Sequence, residues 1–498
     1  MILFVVLFTI FTVLLTRSII NYYKNVSRYP RGPFPKPFIG NFLEFPVENT
    51  QIYFEELSKM YGPVFTVYLP RPVVVATDFK SLKEALVTKG DAFSSRPLTY
   101  PDAFFLVEPG KGIVQNNGKN WVEARRRAIH ILKDFGMGTN SMEEKITANS
   151  EQLFDYINNN KHASISLLWP FQLCIANIIS EITFGFKPSF TEVTRVKNLT
   201  TLLDESIKRI SGDKRIFLYM FFDKNPWILA FLKLWKVDGI KEHDGFIEII
   251  KQDVKSAKDK WDPKTEPTNF LESYIDRKNK EGKEIEANEL EGVIYDIIFA
   301  GSETTATTLG HAANILAYYP DKQQKMRDEI EGVVGFDTAV SLNDRKSLPF
   351  CKAAILEIQR MANILPFNVL HSTTYDTELN GMSIPANTVV FPQIYNVMKY
   401  DEDFVNSDEF MPERFLDADE STINKDMAEK MVAFSMGKRK CAGIALAEQE
   451  LFLIITRLVQ RFKLLVPEGK PKPNLEPVWS EILKAMPYEF RIESVCHP

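Results

Sequence analysis

Four cysteines lie far apart in the 498-residue chain, and one of them, Cys441, has neighbours suited to chemistry. It stands in Phe434-Ser435-Met436-Gly437-Lys438-Arg439-Lys440-Cys441-Ala442-Gly443, where two glycines, three basic residues and a phenylalanine surround a single thiol. Directly after it, Leu446, Leu451, Ile454, Ile455, Leu458, Val459 and Phe462 are spaced like one face of a helix. A turn therefore delivers the thiol to a helix N-terminus, where free N–H groups and the helix dipole favour a thiolate. Zinc takes three or four protein ligands, and no Cys or His neighbours this one. A lone thiolate suits a cofactor that brings its own remaining ligands, and haem is the leading candidate.

Other chemistry-bearing residues occur along the chain. Ala300-Gly301-Ser302-Glu303-Thr304-Thr305 interrupts the apolar stretch Asn288 to Tyr319 with an acid and three hydroxyls. Small Ala300 and Gly301 would let something flat approach the backbone. The Thr304 hydroxyl could bond the Ala300 carbonyl, open the helix and admit water, with Glu303 feeding protons to the same place. A glycine-weakened helix with a solvated glutamate explains this segment equally well when it is taken alone. Glu357 and Arg360 stand one helical turn apart, a pairing that matters only if buried. Trp121 and Arg125 share a face of Trp121 to Leu132, followed by Arg126, Arg127, His130 and Lys133. One subset of these could meet an anionic cofactor edge and the rest a docking partner; an ordinary solvated basic face accounts for the same pattern.

These residues need elements to position them. Met1 to Leu15 is almost wholly apolar. With Arg17 snorkelling, the stretch to Tyr23 reaches the ~20 residues of a spanning helix. Arg17, Lys24, Arg28 and Arg31 all follow the apolar run, which places the main body in the cytosol by the positive-inside rule. Residues 24–44 hold a proline-rich hinge, expected to be a stiff, extended arm, and residues 45–498 form the catalytic body. Phe65 to Tyr68 and Val73 to Ala76 read as a hairpin, and from about Asp78 the chain turns helical. Asn288 to Tyr319 is the longest helix, closed by Pro320. Phe217 to Trp235, dense in aromatic residues, is either core or a surface that dips into the bilayer. The fold class is mainly α with a small β-rich subdomain. A hydrophobic share of 45% supplies ample core. A net charge of −5 argues against nucleic acid, and the scattered cysteines suit a reducing compartment.

Taken together, these residues resemble the cytochrome P450 family of haem-thiolate monooxygenases over essentially the whole chain. Phe434 to Gly443 fits the family's F-x-x-G-x-R-x-C-x-G loop at every defining position. The resemblance makes Cys441 the proximal ligand of haem b and Arg439 a partner of a haem propionate, with Phe434 opening the haem loop. Trp121, Arg125 and His371 match further propionate-side positions. Ala300 to Thr305 matches the oxygen-binding helix, with Glu303 and Thr304 as the catalytic acid–alcohol pair and Ala300 against the haem. Glu357, Arg360 and Arg414 match the network that supports the haem loop. The implied fold is the family's triangular helical prism around haem. Phe93-Ser94-Ser95-Arg96-Pro97 and Phe135-Gly136-Met137-Gly138 point to the animal microsomal branch that metabolises drugs and lipids.

That resemblance implies insertion of one atom of O2 into an apolar substrate: a fatty acid, a steroid or a xenobiotic. Electrons would come from NADPH through the membrane-bound NADPH–cytochrome P450 reductase, with cytochrome b5 as an optional second donor. Lys438, Arg439, Lys440, Arg126, Arg127 and Lys133 would form the docking patch on the cysteine side of the haem. The sulfur would take hydrogen bonds from Gly437 and nearby amides. Phe104, Phe105, Phe299, Phe367 and Trp479 would line the substrate pocket. The anchor implies the endoplasmic reticulum membrane. Rival readings are a haem-thiolate isomerase or dehydratase that needs no reductase, a haem or gas sensor, and a haem-free protein of the membrane surface.

Overall fold

Asn288 starts the longest helix from a left-handed conformation, φ 58°. From there apolar residues on nearly every face keep Glu289–Tyr318 buried. A helix apolar all round belongs in the middle of a large core. Pro320 has no N–H to extend it but suits the first turn of the next helix, Pro320–Val333. At 30 residues the central helix runs about 45 Å. The computed structural model describes residues 1–46, 48–97, 110–186, 194–212, 240–479 and 482–495. Phe104, Phe105, the stretch Phe217 to Trp235 and Cys496 lie outside them.

The neighbouring helix Leu168–Phe184 packs along the central one at two glycines. A Cβ on Gly301 would lie 2.8 Å from Ile179 Cδ1, and one on Gly310 2.7 Å from Leu168 Cδ2. The expectation that Gly301 makes room for a flat group therefore fails: Ile179 takes that face, and Ala300 is the residue that borders open space. Helices Asn140–Asn160, Pro349–Ala362 and Ile444–Arg461 complete the main core with them.

The β-rich part is small. Strand Val64–Leu69 pairs antiparallel with Arg71–Ala76, the expected hairpin, except that the strand already includes Arg71 and Pro72 of the expected turn. Arg71–Ala76 runs parallel to Val389–Pro392, which pairs antiparallel with His371–Ser372. Thr377–Leu379 and Met382–Ile384 turn at Asn380-Gly381, where both residues have positive φ, as this dipeptide favours. A three-stranded sheet joins Ile165–Ser166, Glu489–Ser494 and Phe462–Leu465. Asp78 caps the first helix after the hairpin, its carboxylate accepting the Ser81 N–H at 3.0 Å.

Helix Ile2–Val26 buries no residue and is, among the described residues, the one helix long and apolar enough to cross a membrane. The proline-rich stretch after it lies against the body. Asn41 accepts the Tyr68 N–H at 2.9 Å and donates to the Phe34 carbonyl at 3.3 Å. Tyr22 and Tyr23 donate to the carbonyls of Lys36 and Pro35, and the Tyr23 ring stacks on Phe34 at 5.2 Å. Tyr68 donates to the Val26 carbonyl at 3.4 Å. Proline fixes the backbone without supplying donors, so the side chains of Asn41 and the tyrosines make these ties.

Candidate active site

The cysteine loop is held by its own backbone. The Cys441 N–H donates to the Phe434 carbonyl at 3.0 Å, and Ser435 adopts φ 61°. A Cβ on Gly437 would lie 1.7 Å from the Leu86 carbonyl oxygen. Close approach of that backbone explains the glycine. Helix Ile444–Arg461 starts three residues after the thiol. Cys441 keeps exposed surface. Burial pushes its thiol above the ordinary range, while the Gly443 amide, Arg125 and Lys440 pull it down. The amide and the cations favour a thiolate as the helix start suggests, desolvation opposes them, and a cation at the sulfur would tip the balance to the thiolate.

Beside the loop lies a cradle of positive charge. Arg439 is buried, donates to the carbonyls of Ser94 at 2.7 Å and Asn116 at 2.6 Å, and lies 3.6 Å from the centroid of the Trp121 ring. Arg96 donates to the carbonyls of Val369 and Leu370, both at 2.7 Å. Arg125 reaches the Lys440 carbonyl. Burial, with the charges of Arg96 and Arg125, brings the Arg439 guanidinium down to about 8. His371 Nδ1 donates to the Phe93 carbonyl at 2.6 Å, and burial, Arg96 and Arg439 hold this imidazole well below its usual range. His371 Nε2 and Trp121 Nε1 are buried with no hydrogen-bond partner.

Two orphaned ring nitrogens among mutually repelling guanidinium groups fit a dianionic edge, such as the two propionates of haem b. An anion there relieves the repulsion and lets His371 protonate and donate from both nitrogens. Trp121, Arg125, His371 and Arg439 thus gather in one place. Arg96 joins them, a residue that sequence reasoning used only as a branch marker. Its signal was an arginine inside the Phe93 to Pro97 motif.

The central helix carries a second set of chemical groups. Thr304 Oγ1 donates to the Ala300 carbonyl at 2.7 Å, as its spacing predicts. Ala300 stays exposed in the middle of a buried helix, so the space beside it is internal. Glu303, one residue round the helix, turns away: its Oε1 lies 2.9 Å from Lys484 Nζ and accepts from the Thr307 hydroxyl at 3.2 Å. Thr305 lies beside Glu450, on the helix that follows Cys441.

The supporting network is buried as its role requires. Arg360 grips both Glu357 oxygens, at 2.7 and 2.9 Å. Arg414 Nε adds a third contact at 3.0 Å and the Met411 N–H a fourth at 3.1 Å. Arg360 also donates to the carbonyls of Met398 and Ser407, tying helix Pro349–Ala362 to the segment that leads into the cysteine loop. Of the pocket candidates, Phe367 and Trp479 meet edge-on at 6.3 Å, while Phe299 stacks on Tyr295 at 5.6 Å.

Two members of the expected docking patch fall out of it. Arg439 faces the cradle just described. Arg127 is buried against Tyr274 and pairs with Glu281 at 2.8 Å. Lys438, Lys440, Arg126 and Lys133 remain exposed or half-buried at the surface. Behind the loop is a cavity of about 490 Å³, lined in part by Lys83, Lys352, Lys440, Phe434, Met436 and Ile444.

The family model described as Cytochrome P450 matches residues 30–491. Among characterised relatives, the chain is 34% identical to Cytochrome P450 2H2 of Gallus gallus over 458 residues, which are 91% of this chain and 90% of the relative. It is 33% identical to Cytochrome P450 2F2 of Mus musculus over 473 residues, 94% of each chain. Identity to Cytochrome P450 2B19 of Mus musculus is 32% over 472 residues, 93% of each chain.

Proposed function

The chain belongs to the cytochrome P450 family, and on that premise we propose that Cys441 is the proximal haem ligand of a membrane-anchored monooxygenase acting on lipophilic substrates. The protein is a haem-thiolate monooxygenase that uses haem b, O2 and electrons from NADPH. Bound haem supplies reductive activation of O2 and transfer of one oxygen atom to the substrate.

The chain's own residues do the rest. Cys441 holds the iron through a thiolate whose charge is favoured by Arg125, Lys440 and the Gly443 amide. Trp121, Arg125, His371 and Arg439, with Arg96, hold the propionates. The observation that carries this assignment is the pair of orphaned nitrogens, Trp121 Nε1 and His371 Nε2, in a cationic cradle beside a lone open thiol. Thr304 spends its hydroxyl proton on the Ala300 carbonyl, which leaves its oxygen free to accept from a group beside Ala300. Glu303 is the acid that replenishes protons there. Glu357, Arg360 and Arg414 keep the loop in register.

Substrates are fatty acids, steroids or foreign aromatics, chosen by apolar walls that include Phe367 and Trp479. The body faces the cytosol from the endoplasmic reticulum membrane, because Arg17, Lys24, Arg28 and Arg31 follow the apolar run. NADPH–cytochrome P450 reductase, with cytochrome b5 as an optional second donor, docks on Lys438, Lys440, Arg126 and Lys133 beside the cavity behind the loop.

The test combines the absorption spectrum of the reduced, CO-bound protein with turnover of a lipid and xenobiotic panel, reductase supplied. A thiolate-type spectrum and substrate-dependent NADPH consumption with oxygenated product are expected. Haem incorporation without any substrate-dependent NADPH consumption overturns the reading. Reduction should slow as ionic strength rises; a rate indifferent to salt removes the basic docking face.

A further inference from the structure

The last hairpin of the chain is fastened to the central helix at three points. Lys484 Nζ lies 2.9 Å from Glu303 Oε1, His311 Nε2 lies 3.0 Å from the Leu483 carbonyl, and Asn314 donates to the Met486 carbonyl at 2.8 Å. Burial holds His311 down at about 4, so it stays neutral and leaves the ionic tie to Lys484. Lys484 also faces Val478 in a β-bridge, with N–H to carbonyl distances of 2.8 and 3.1 Å. The next residue, Trp479, packs edge-on against Phe367, and its Nε1 is buried with no partner. Trp479, which the proposed function puts on the substrate wall, thus directly follows the bridge partner of Lys484, the cation on the acid.

We propose that Lys484 is a positioning residue that keeps Glu303 ionised and turned away from Thr304 until substrate seated against Trp479 loosens the pair. This rests on the reading of Glu303 as the acid serving Thr304. Consecutive residues on a helix point about 100° apart, so a Glu303 held by Lys484 is not aimed where Thr304 is. Serving Thr304 requires leaving Lys484. A lysine suits such a release: its ammonium rides a flexible four-carbon stem, is strongly hydrated, and makes no rigid fork. The Lys484 side chain is 25% exposed while Glu303 is buried, so water meets the cation first. Once released, the Glu303 carboxylate takes one proton from solvent water and becomes a carboxylic acid, and Lys484 stays protonated throughout. Lys484 touches neither substrate nor the reacting atoms; it acts through Glu303.

The test uses the holoprotein with Lys484→Met, Lys484→Arg, Glu303→Gln and the Glu303→Gln/Lys484→Met double variant, each checked for fold by its reduced CO-bound spectrum. The double variant strands no buried charge, so it guards against a single variant that fails to fold. Infrared difference spectra of the ferric protein report Glu303 protonation without turnover. Naphthalene serves as the added substrate because it has no carbonyl to mask the band. In the wild type, naphthalene should bring up a protonated-carboxyl band that is missing in Glu303→Gln. In Lys484→Met the band should already be present without naphthalene, and Lys484→Arg should suppress it again. Substrate-free peroxide release should rise roughly tenfold in Lys484→Met, and the double variant should match Glu303→Gln alone. A Lys484→Met protein with the wild-type band and leak, beside a Glu303→Gln protein with impaired coupling, overturns the positioning role alone. Unimpaired coupling in Glu303→Gln overturns the reading of Glu303 beneath it.

Discussion

Glu357 and Glu303 are both buried carboxylates on helices, and each meets a cation within 3 Å, yet they are built for opposite ends. Glu357 is gripped by both arms of Arg360, by Arg414 and by the Met411 amide. Its arginines are locked in turn by the carbonyls of Met398, Ser407 and Val405. The contacts of Glu303 include a lysine on a hairpin and a threonine hydroxyl. Arginine's planar fork fixes a carboxylate in direction, whereas lysine's single point of charge does not. The contrast separates a brace from a movable part: burial alone does not, but the cation type and the anchoring of that cation do.

Removing the brace should have the largest effect. Arg360→Ala leaves the buried Glu357 with only part of its compensation, at a cost of roughly 3–5 kcal/mol. That is a large share of the ~5–15 kcal/mol that holds a typical domain together. Little haem-bearing protein should be recovered, as read by the reduced CO-bound spectrum against total protein. Normal haem content in Arg360→Ala would erase the distinction drawn between the two glutamates.

On the movable side a substitution should spare the fold and damage the chemistry. Thr304→Ala removes the hydroxyl that bonds the Ala300 carbonyl, a bond that mid-helix is close to neutral for stability. Haem content and the substrate-induced spectral shift should persist. NADPH should instead drain into peroxide, with product falling by roughly 10²-fold, at the lower end for a lost proton-transfer group. Fully coupled turnover in this variant would place the proton route elsewhere.

Sequence exposed the brace far better than the movable part. A Glu and an Arg one helical turn apart are visible as a pattern, and the cysteine loop is dense enough in glycine and basic residues to be read directly. The Thr304–Ala300 bond follows from helical spacing alone. Lys484 left no such mark, because its ion pair joins the central helix to a distant hairpin and obeys no periodicity. Arg127 looked like a surface charge, and Arg439 was read both as a propionate partner and as part of the docking face, since a run of basic residues does not reveal which of them turns inward. The opposing pull of desolvation on the Cys441 thiol was hidden for a related reason: amides and dipoles can be counted in a sequence, whereas desolvation cannot.

A third buried glutamate tests whether the cation is the deciding variable. Glu450 is 1% exposed, lies beside Thr305, and has Oε1 buried without a partner. Burial pushes its carboxyl from 4.5 up to about 8. Between those values the folded protein keeps a proton that the unfolded chain has lost. Stability is therefore fully present below the unfolded value, declines as pH rises through the window, and levels off above about 8, with a slope of at most about 1.4 kcal/mol per pH unit. Glu450→Gln mimics the protonated form at every pH and should flatten that part of the profile. Thermal melts of the two holoproteins should nearly coincide near pH ~5 and diverge toward pH ~8, with the glutamine variant gaining. Parallel curves would mean that Glu450 is ionised and compensated like Glu357. Divergence would place it at the far end of a series in which two arginines, one lysine and no cation give a brace, a movable acid and a neutral carboxyl.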